Sequence, residues 1–207
     1  MSLIVFIIIF YLFSYRFYWR VDNSEVEIGP GIELVSHRGL SQSMPENTIE
    51  AYMEAVNKGY KWIELDVVCT KDRAIICAHN FDLERETDIY GYTHETSSID
   101  IKSAFTGVIS RFNSGYRIPL LKDVLKCLPN DVGLNIEIKT KSLFDIGVAR
   151  ALIKLLKISE KRRIIVSSFN PITLLYFKVM YKGAPIGYLL ESKKFLWVTN
   201  WLHPVFL

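Results

Sequence analysis

A parallel β-sheet sheathed in helices, of the kind that closes into an eight-stranded (β/α) barrel, is the architecture this sequence predicts. An open doubly wound sheet fits the same periodicity. Strand-like and helix-like segments alternate from residue 32 to residue 190. Each strand is apolar along one face, as expected where helices cover a parallel sheet. Six strands occur before residue 191, so the expected barrel is incomplete.

"IELVSH" (32–37) reads as the first strand. "TIEAYMEAVNKG" (48–59) follows as a helix with Ile49, Tyr52, Met53 and Val56 on one face and Gly59 at its C-terminus. "KWIELDVV" (61–68) and "AIICAH" (74–79) are the second and third strands, joined through the turn-like "TKDR". Residues 80–117 are rich in Thr, Ser, Asp, Tyr and Gly and too long for an ordinary connection, which marks a functional insertion. Tyr90 and Tyr92 within it either line a lid or pack a small core of its own. "PLLKDVLKCL" is a helix with proline near its start, "VGLNIEIK" (132–139) the fourth strand and "FDIGVARALIKLLKI" a helix. "RIIVSSF", "PITLLYFKVMYKG" and "PIGYLL" complete the set as strand, helix and strand.

The 207 residues suffice for one sizeable core. A net charge of +3, with scattered basic residues, gives no footprint for nucleic acid. Cys69, Cys77 and Cys127 form no CxxC pair and read as free thiols. The N-terminus carries an apolar excess. "LIVFIIIFYLFSY" (3–15) is uncharged but shorter than the roughly 20 residues that span a bilayer. Extended over residues 1–20, with Arg16 snorkelling and Tyr and Trp at the interface, it is expected to form a single-pass membrane anchor. Arg16 and Arg20 follow the apolar run, so the domain at 32–207 is expected on the cytoplasmic side.

Side chains alternate along a strand, so Ile63, Leu65 and Val67 face one way and Glu64 and Asp66 the other. In "LNIEIK", Glu137 and Lys139 oppose Leu134, Ile136 and Ile138 in the same manner. Unpaired carboxylates turned into a sheet cost several kcal/mol each, so a positive group must compensate. Carboxylate oxygens without a thiolate suit a hard cation, Mg²⁺ or Ca²⁺. His37 ends the first strand and His79 the third, placing both with Arg38 and the carboxylates at one rim of the expected barrel. A cation and an arginine to neutralise phosphate, and two histidines as acid and base, make a phosphodiesterase set. Asn47 serves either that set or the following helix as its N-cap. His94 and His203 fall outside the rim.

"HRG" (37–39), "PENT" (45–48), "IELDV" with "TKD", "AHN" with "ER" and a following Thr and Gly, "IPLL", "NIEIK" and "SSFNP" together resemble the glycerophosphodiester phosphodiesterase family, in that order and at similar spacing. The resemblance implies a TIM-type barrel with a small insertion after strand three. It implies Glu64, Asp66 and Glu137 as ligands of one divalent cation, and His37 and His79 as the acid/base pair. It further implies Arg38 and Lys139 near the phosphate and Asn47 as the motif asparagine. Asn80 stands where the family usually has aspartate, which bears on how His79 is oriented. The chain stops at "NWLHPVFL", where the family continues through two further strands.

The function these residues imply is metal-dependent hydrolysis of a glycerophosphodiester to an alcohol and sn-glycerol 3-phosphate. An expected membrane anchor makes a lysophospholipid, cleaved in lysophospholipase D fashion, the close variant. The alternative from another class is a truncated, membrane-tethered remnant that keeps its rim residues without turnover.

Overall fold

The computed structural model describes residues 3–16, 33–42, 44–108, 112, 115–202 and 204. Among them the strands are β1 (Val35–His37), β2 (Trp62–Cys69), β3 (Ile75–Cys77), β4 (Gly133–Ile138), β5 (Ile164–Ser168) and β6 (Ile186–Tyr188). The helices are α1 (Leu3–Arg16), α2 (Ile49–Asn57), α3 (Ser98–Ser103), α4 (Leu121–Cys127), α5 (Gly147–Leu156), α6 (Pro171–Met180) and α7 (Thr199–Leu202).

Five strands run parallel in the order β1-β2-β4-β5-β6, and β1 does not pair with β6, so the sheet curves without closing. The expectation of six parallel strands needs correction at β3, which pairs antiparallel with β2. The physical reason lies in "TKDR". A parallel return needs a crossover of a dozen or more residues, whereas a four-residue turn allows only a hairpin. Thr70 closes that turn, with the Ala74 amide donating to its hydroxyl at 3.0 Å.

The alternation read from β2 and β4 holds. Ile63, Leu65, Val67, Leu134, Ile136 and Ile138 are buried with Tyr52, Leu152, Leu174 and Phe177 in the main core between sheet and helices. The register sets Leu65 opposite Ile136 and Asp66 opposite Glu137, so both strands turn the same polar face inward. Local signals place the helices. Thr48 caps α2, accepting from the Ala51 amide at 3.2 Å. Asn170 caps α6, accepting from the amides of Ile172 and Thr173, with Pro171 in the first turn.

Leu83 and Ile101 of the insertion form a second small core with Ile118 and Leu120 just after it and with Val68 and Ile76. Tyr90 and Tyr92 stay exposed and take no part in it. The C-terminal tail forms a 3-10 turn at Lys193–Val198 and then α7, and Val198 and Leu202 seal the main core.

The expected membrane anchor is overturned. Helix α1 has 14 residues, which is about 21 Å at 1.5 Å per residue against a hydrocarbon core of about 30 Å. No helix among the described residues is long and apolar enough to cross a membrane. Residues 1, 2 and 17–20 of the expected anchor lie outside the described residues, as does His203. The single-pass placement, the cytoplasmic orientation and the lipid partner fall with it.

The turn after β1 is tight. Arg38 and Gly39 both lie in the left-handed region, with φ of 54° and 80°. A Cβ on Gly39 would lie 2.6 Å from the Ala51 carbonyl carbon of α2. Gly39→Ala combines left-handed strain with that clash, and its expected cost is about 2 kcal/mol or more. Urea unfolding of the variant beside the parent checks this.

Candidate active site

Site residues come from three strand ends and two turns. Asp66 and Glu64 point inward from β2, and Glu137 from β4. One carboxylate oxygen from each of Glu64, Asp66 and Glu137 lies within 4.8 Å of the others. Two oxygens bound to one cation at about 2.4 Å are at most about 4.8 Å apart, so the three fit a single hard ion.

Asp66 is the hub. It is fully buried, yet its carboxylate is 2.8 Å from Arg38 Nε and 3.1 Å from Lys139 Nζ. Asn47 Nδ2 donates to Asp66 Oδ2 at 3.1 Å, and Asn47 Oδ1 accepts from the Asp66 amide and from Tyr52 Oη. Asn47 therefore reads Asp66 from both its side chain and its backbone. The capping role falls to Thr48 instead. Lys139 Nζ also donates to Glu137 Oε1 at 2.6 Å and lies 5.9 Å from the centre of the Phe169 ring. Arg38 reaches Glu46 at 2.8 Å, and its backbone amide donates to Glu64 Oε2 at 3.1 Å. Burial opposes charge on Arg38, but Asp66, Glu46 and Glu64 outweigh it and hold the guanidinium above its ordinary value.

Three carboxylates facing Arg38 and Lys139 leave one negative charge uncompensated. Burial first, and then Asp66, pushes the Glu64 carboxyl up to about 8 when no ion shares the cluster. Burial likewise raises Glu137 against the opposing pull of Lys139. Glu64 Oε1 and Asp66 Oδ1 are buried without a hydrogen-bond donor, Lys139 touching the latter only as an ion pair. Orphaned hard oxygens, an excess negative charge and no thiolate among them fit a divalent cation.

The histidines flank this cluster. His37 Nε2 lies 3.8 Å from Glu64 Oε2, and its side chain is 72% exposed. His79 arrives differently from the expected route, because β3 runs backwards. Strand β2 continues three residues past Asp66 to Cys69, and the hairpin brings Ala78 back to donate its amide to the Asp66 carbonyl at 3.1 Å. His79 thus stands at the level of Asp66, close enough for its charge to act on Glu137. His94 remains outside the cluster, its ring 5.6 Å from that of Tyr92.

Two acidic residues at the site escaped the sequence reading. Glu46 holds Arg38, and a cavity of about 410 Å³ separates it from the insertion, with Asn80, Arg85 and Glu86 on the walls. Glu46 lies inside "PENT", so its proximity to Arg38 was the available signal. Glu86 had none, since only the folded insertion brings it to Asn80. Burial, with Glu46 adding to it, pushes Glu86 to about 7 from an ordinary 4.5. Between those values the native state holds a proton that the unfolded chain has released, so stability falls as pH rises through the window. Glu86→Gln should flatten part of that fall, and urea midpoints of variant and parent at the two ends of the window isolate its share.

The family model for "Glycerophosphoryl diester phosphodiesterase family" matches residues 37–203. The chain belongs to this glycerophosphoryl diester phosphodiesterase family. It is 35% identical over 161 residues to a glycerophosphodiester phosphodiesterase of Caldanaerobacter subterraneus subsp. tengcongensis, covering 76% of this chain and 66% of that one. A Bacillus subtilis glycerophosphodiester phosphodiesterase is 31% identical over 184 residues, covering 80% and 62%. The chain therefore spans just under two thirds of the length of these relatives. Among solved structures, an Oleispira antarctica phosphodiesterase in complex with the product sn-glycerol-3-phosphate superposes with a TM-score of 0.75 at 25% identity, over 83% of this chain and 72% of that one. The Thermotoga maritima glycerophosphodiester phosphodiesterase gives 0.65 at 28%, over 83% and 68%. These neighbours bear out the TIM-type fold of the glycerophosphoryl diester phosphodiesterases, here an unclosed arc of it.

Proposed function

We propose that this chain carries the active site of a divalent-cation-dependent glycerophosphodiester hydrolase, releasing an alcohol and sn-glycerol 3-phosphate. The observation that carries the reading is the convergence of Glu64, Asp66 and Glu137 between Arg38 and Lys139, with His37 and His79 beside them. Kinship with named glycerophosphodiester phosphodiesterases and likeness to a product-bound phosphodiesterase support it.

Glu64, Asp66 and Glu137 would hold Mg²⁺ or Ca²⁺, which when bound supplies positive charge to neutralise the phosphoryl oxygens. Arg38 and Lys139 add fixed positive charge at the same place. One histidine takes the proton of the nucleophile, water or the glycerol 2-hydroxyl, as its oxygen bonds to phosphorus. The other gives a proton to the alcohol oxygen as the P–O bond breaks. The cavity between Glu46 and the insertion offers the departing alcohol a place beside the reacting atoms. The lysophospholipid variant rested on the membrane anchor and is not carried forward.

The test is choline release from glycerophosphocholine by the full chain, with the phosphorus product followed by NMR. Hydrolysis is expected to stop on chelation and return with Mg²⁺ or Ca²⁺. A water nucleophile gives glycerol 3-phosphate directly, whereas attack by the 2-hydroxyl passes through a cyclic phosphate. No turnover under any divalent cation would sink the proposal and favour a site kept without catalysis.

A further inference from the structure

We infer that Glu86, acting through Asn80, sets which ring nitrogen of His79 carries the hydrogen. The inference rests on the proposed role of His79 in proton transfer, and its geometry is a short chain of polar contacts. His79 Nδ1 is 3.2 Å from Asn80 Oδ1, and Asn80 Nδ2 is 2.6 Å from Glu86 Oε1.

An ionised carboxylate only accepts hydrogen bonds, so Glu86 obliges the Asn80 amide to present its NH₂. A planar amide that turns its NH₂ to Glu86 turns its oxygen to His79. That oxygen also only accepts, so Nδ1 must be the protonated ring nitrogen of a neutral imidazole. Nε2 is then left with its lone pair and is ready to take a proton. A free imidazole in water prefers the opposite tautomer, with hydrogen on Nε2, so the relay selects a minor form. The hydrogen bond at one ring nitrogen is the usual device for fixing the state of the other.

Asparagine alone cannot do this, because its two ends are nearly the same size and an unpartnered amide flips. The carboxylate breaks that symmetry. In effect, the negative charge expected directly on the histidine stands one residue further out, with an amide between.

Glu86 is held for this task by the insertion. Its carbonyl accepts from the Gly107 amide at 2.7 Å and from Thr106 Oγ1 at 3.1 Å, and its own amide donates to the Leu83 carbonyl at 3.2 Å. The charged groups acting on its carboxylate are Glu46, Arg38 and Asp66. Glu46 and Asp66 oppose its ionisation, and Arg38 and the Asn80 amide favour it. The relay therefore operates in mildly alkaline buffer, where the carboxylate is ionised.

The experiment compares the full chain with Glu86→Gln and with the exchanged pair Asn80→Asp/Glu86→Gln. Two readouts are taken in alkaline buffer: the ¹⁵N shifts of the His79 ring, and kcat and KM for glycerophosphocholine. The parent should show hydrogen on Nδ1. In Glu86→Gln the glutamine can offer either end of its amide, so the ring should drift toward the Nε2–H form. Its kcat should fall about 10- to 100-fold, the scale of losses when a ligand-orienting partner is removed, with KM little changed. The exchanged pair puts a carboxylate on Nδ1 and an amide behind it, and should recover both the shifts and kcat. A purely structural Glu86 would show no such recovery. Hydrogen on Nε2 in the parent, or ring shifts unmoved by Glu86→Gln, overturns the relay. If no variant turns over, the ring shifts alone decide the relay, and the hydrolase reading fails separately.

Discussion

Asp66→Ala is expected to destabilise the chain by roughly 3 kcal/mol, measured by urea unfolding without added cation. Removing one member of a buried ion cluster typically costs 3–5 kcal/mol, because the partners keep their charge and lose their compensation. The lower end applies here. Arg38 still has Glu46 and Lys139 still has Glu137. Glu64, relieved of its neighbour, also ionises more readily. Asn47 loses the acceptor for its Nδ2 as well. From the strand pattern alone, this variant would be expected to weaken cation saturation, with excess ion restoring activity in part. The structure adds a reason why excess ion would not restore stability fully: Asp66 holds Arg38, Lys139 and Asn47 in place without any ion. A loss under about 1 kcal/mol would show that the cluster is not what fixes these side chains.

His79→Ala and His37→Ala should each lower kcat by about 10²-fold or more, the scale of general acid–base catalysis. The two variants should differ in stability. The His37 side chain is 72% exposed and lies 3.8 Å from Glu64, so its removal should leave the unfolding midpoint nearly unchanged. His79 is half-buried and bonded to Asn80, so its loss should register in both measurements. Turnover within a few-fold of the parent in either variant would remove that histidine from proton transfer.

Much of this was legible because β-strand alternation is strict. Once Ile63, Leu65 and Val67 were assigned to the core, Glu64 and Asp66 had to share the opposite face, and the same held for Glu137 in β4. Direction was less legible. His79 was placed at the rim by assuming a parallel third strand, and it reaches the level of Asp66 by an antiparallel hairpin instead. The position was reached by the wrong path, although four-residue "TKDR" already excluded a crossover. Asn47 illustrates a different limit. Its place before a helix suits a cap, and only the fold shows that Thr48 caps while Asn47 turns to Asp66. Glu86 was invisible because it and its partner Asn80, six residues apart, both lie in an insertion with no periodic pattern. The apolar N-terminus misled in the opposite sense. Hydropathy counted its residues, but the described helix has 14 of them, and none among the described residues is long and apolar enough for the span assigned to it.

The pairing of Asp66 with Glu137 across β2 and β4 has a consequence for how the chain folds. Parallel strands joined by long connections form slowly and can slip past one another before locking. A slip of one residue would turn Glu137 out of the barrel interior and into the layer where Leu152 and Leu174 pack. Desolvating an unpaired carboxylate there costs several kcal/mol, so the misaligned pairing is rejected early. The residues proposed to hold the cation thus also proofread the assembly of the sheet, and a neutral replacement at Glu137 would loosen that check before any substrate is met.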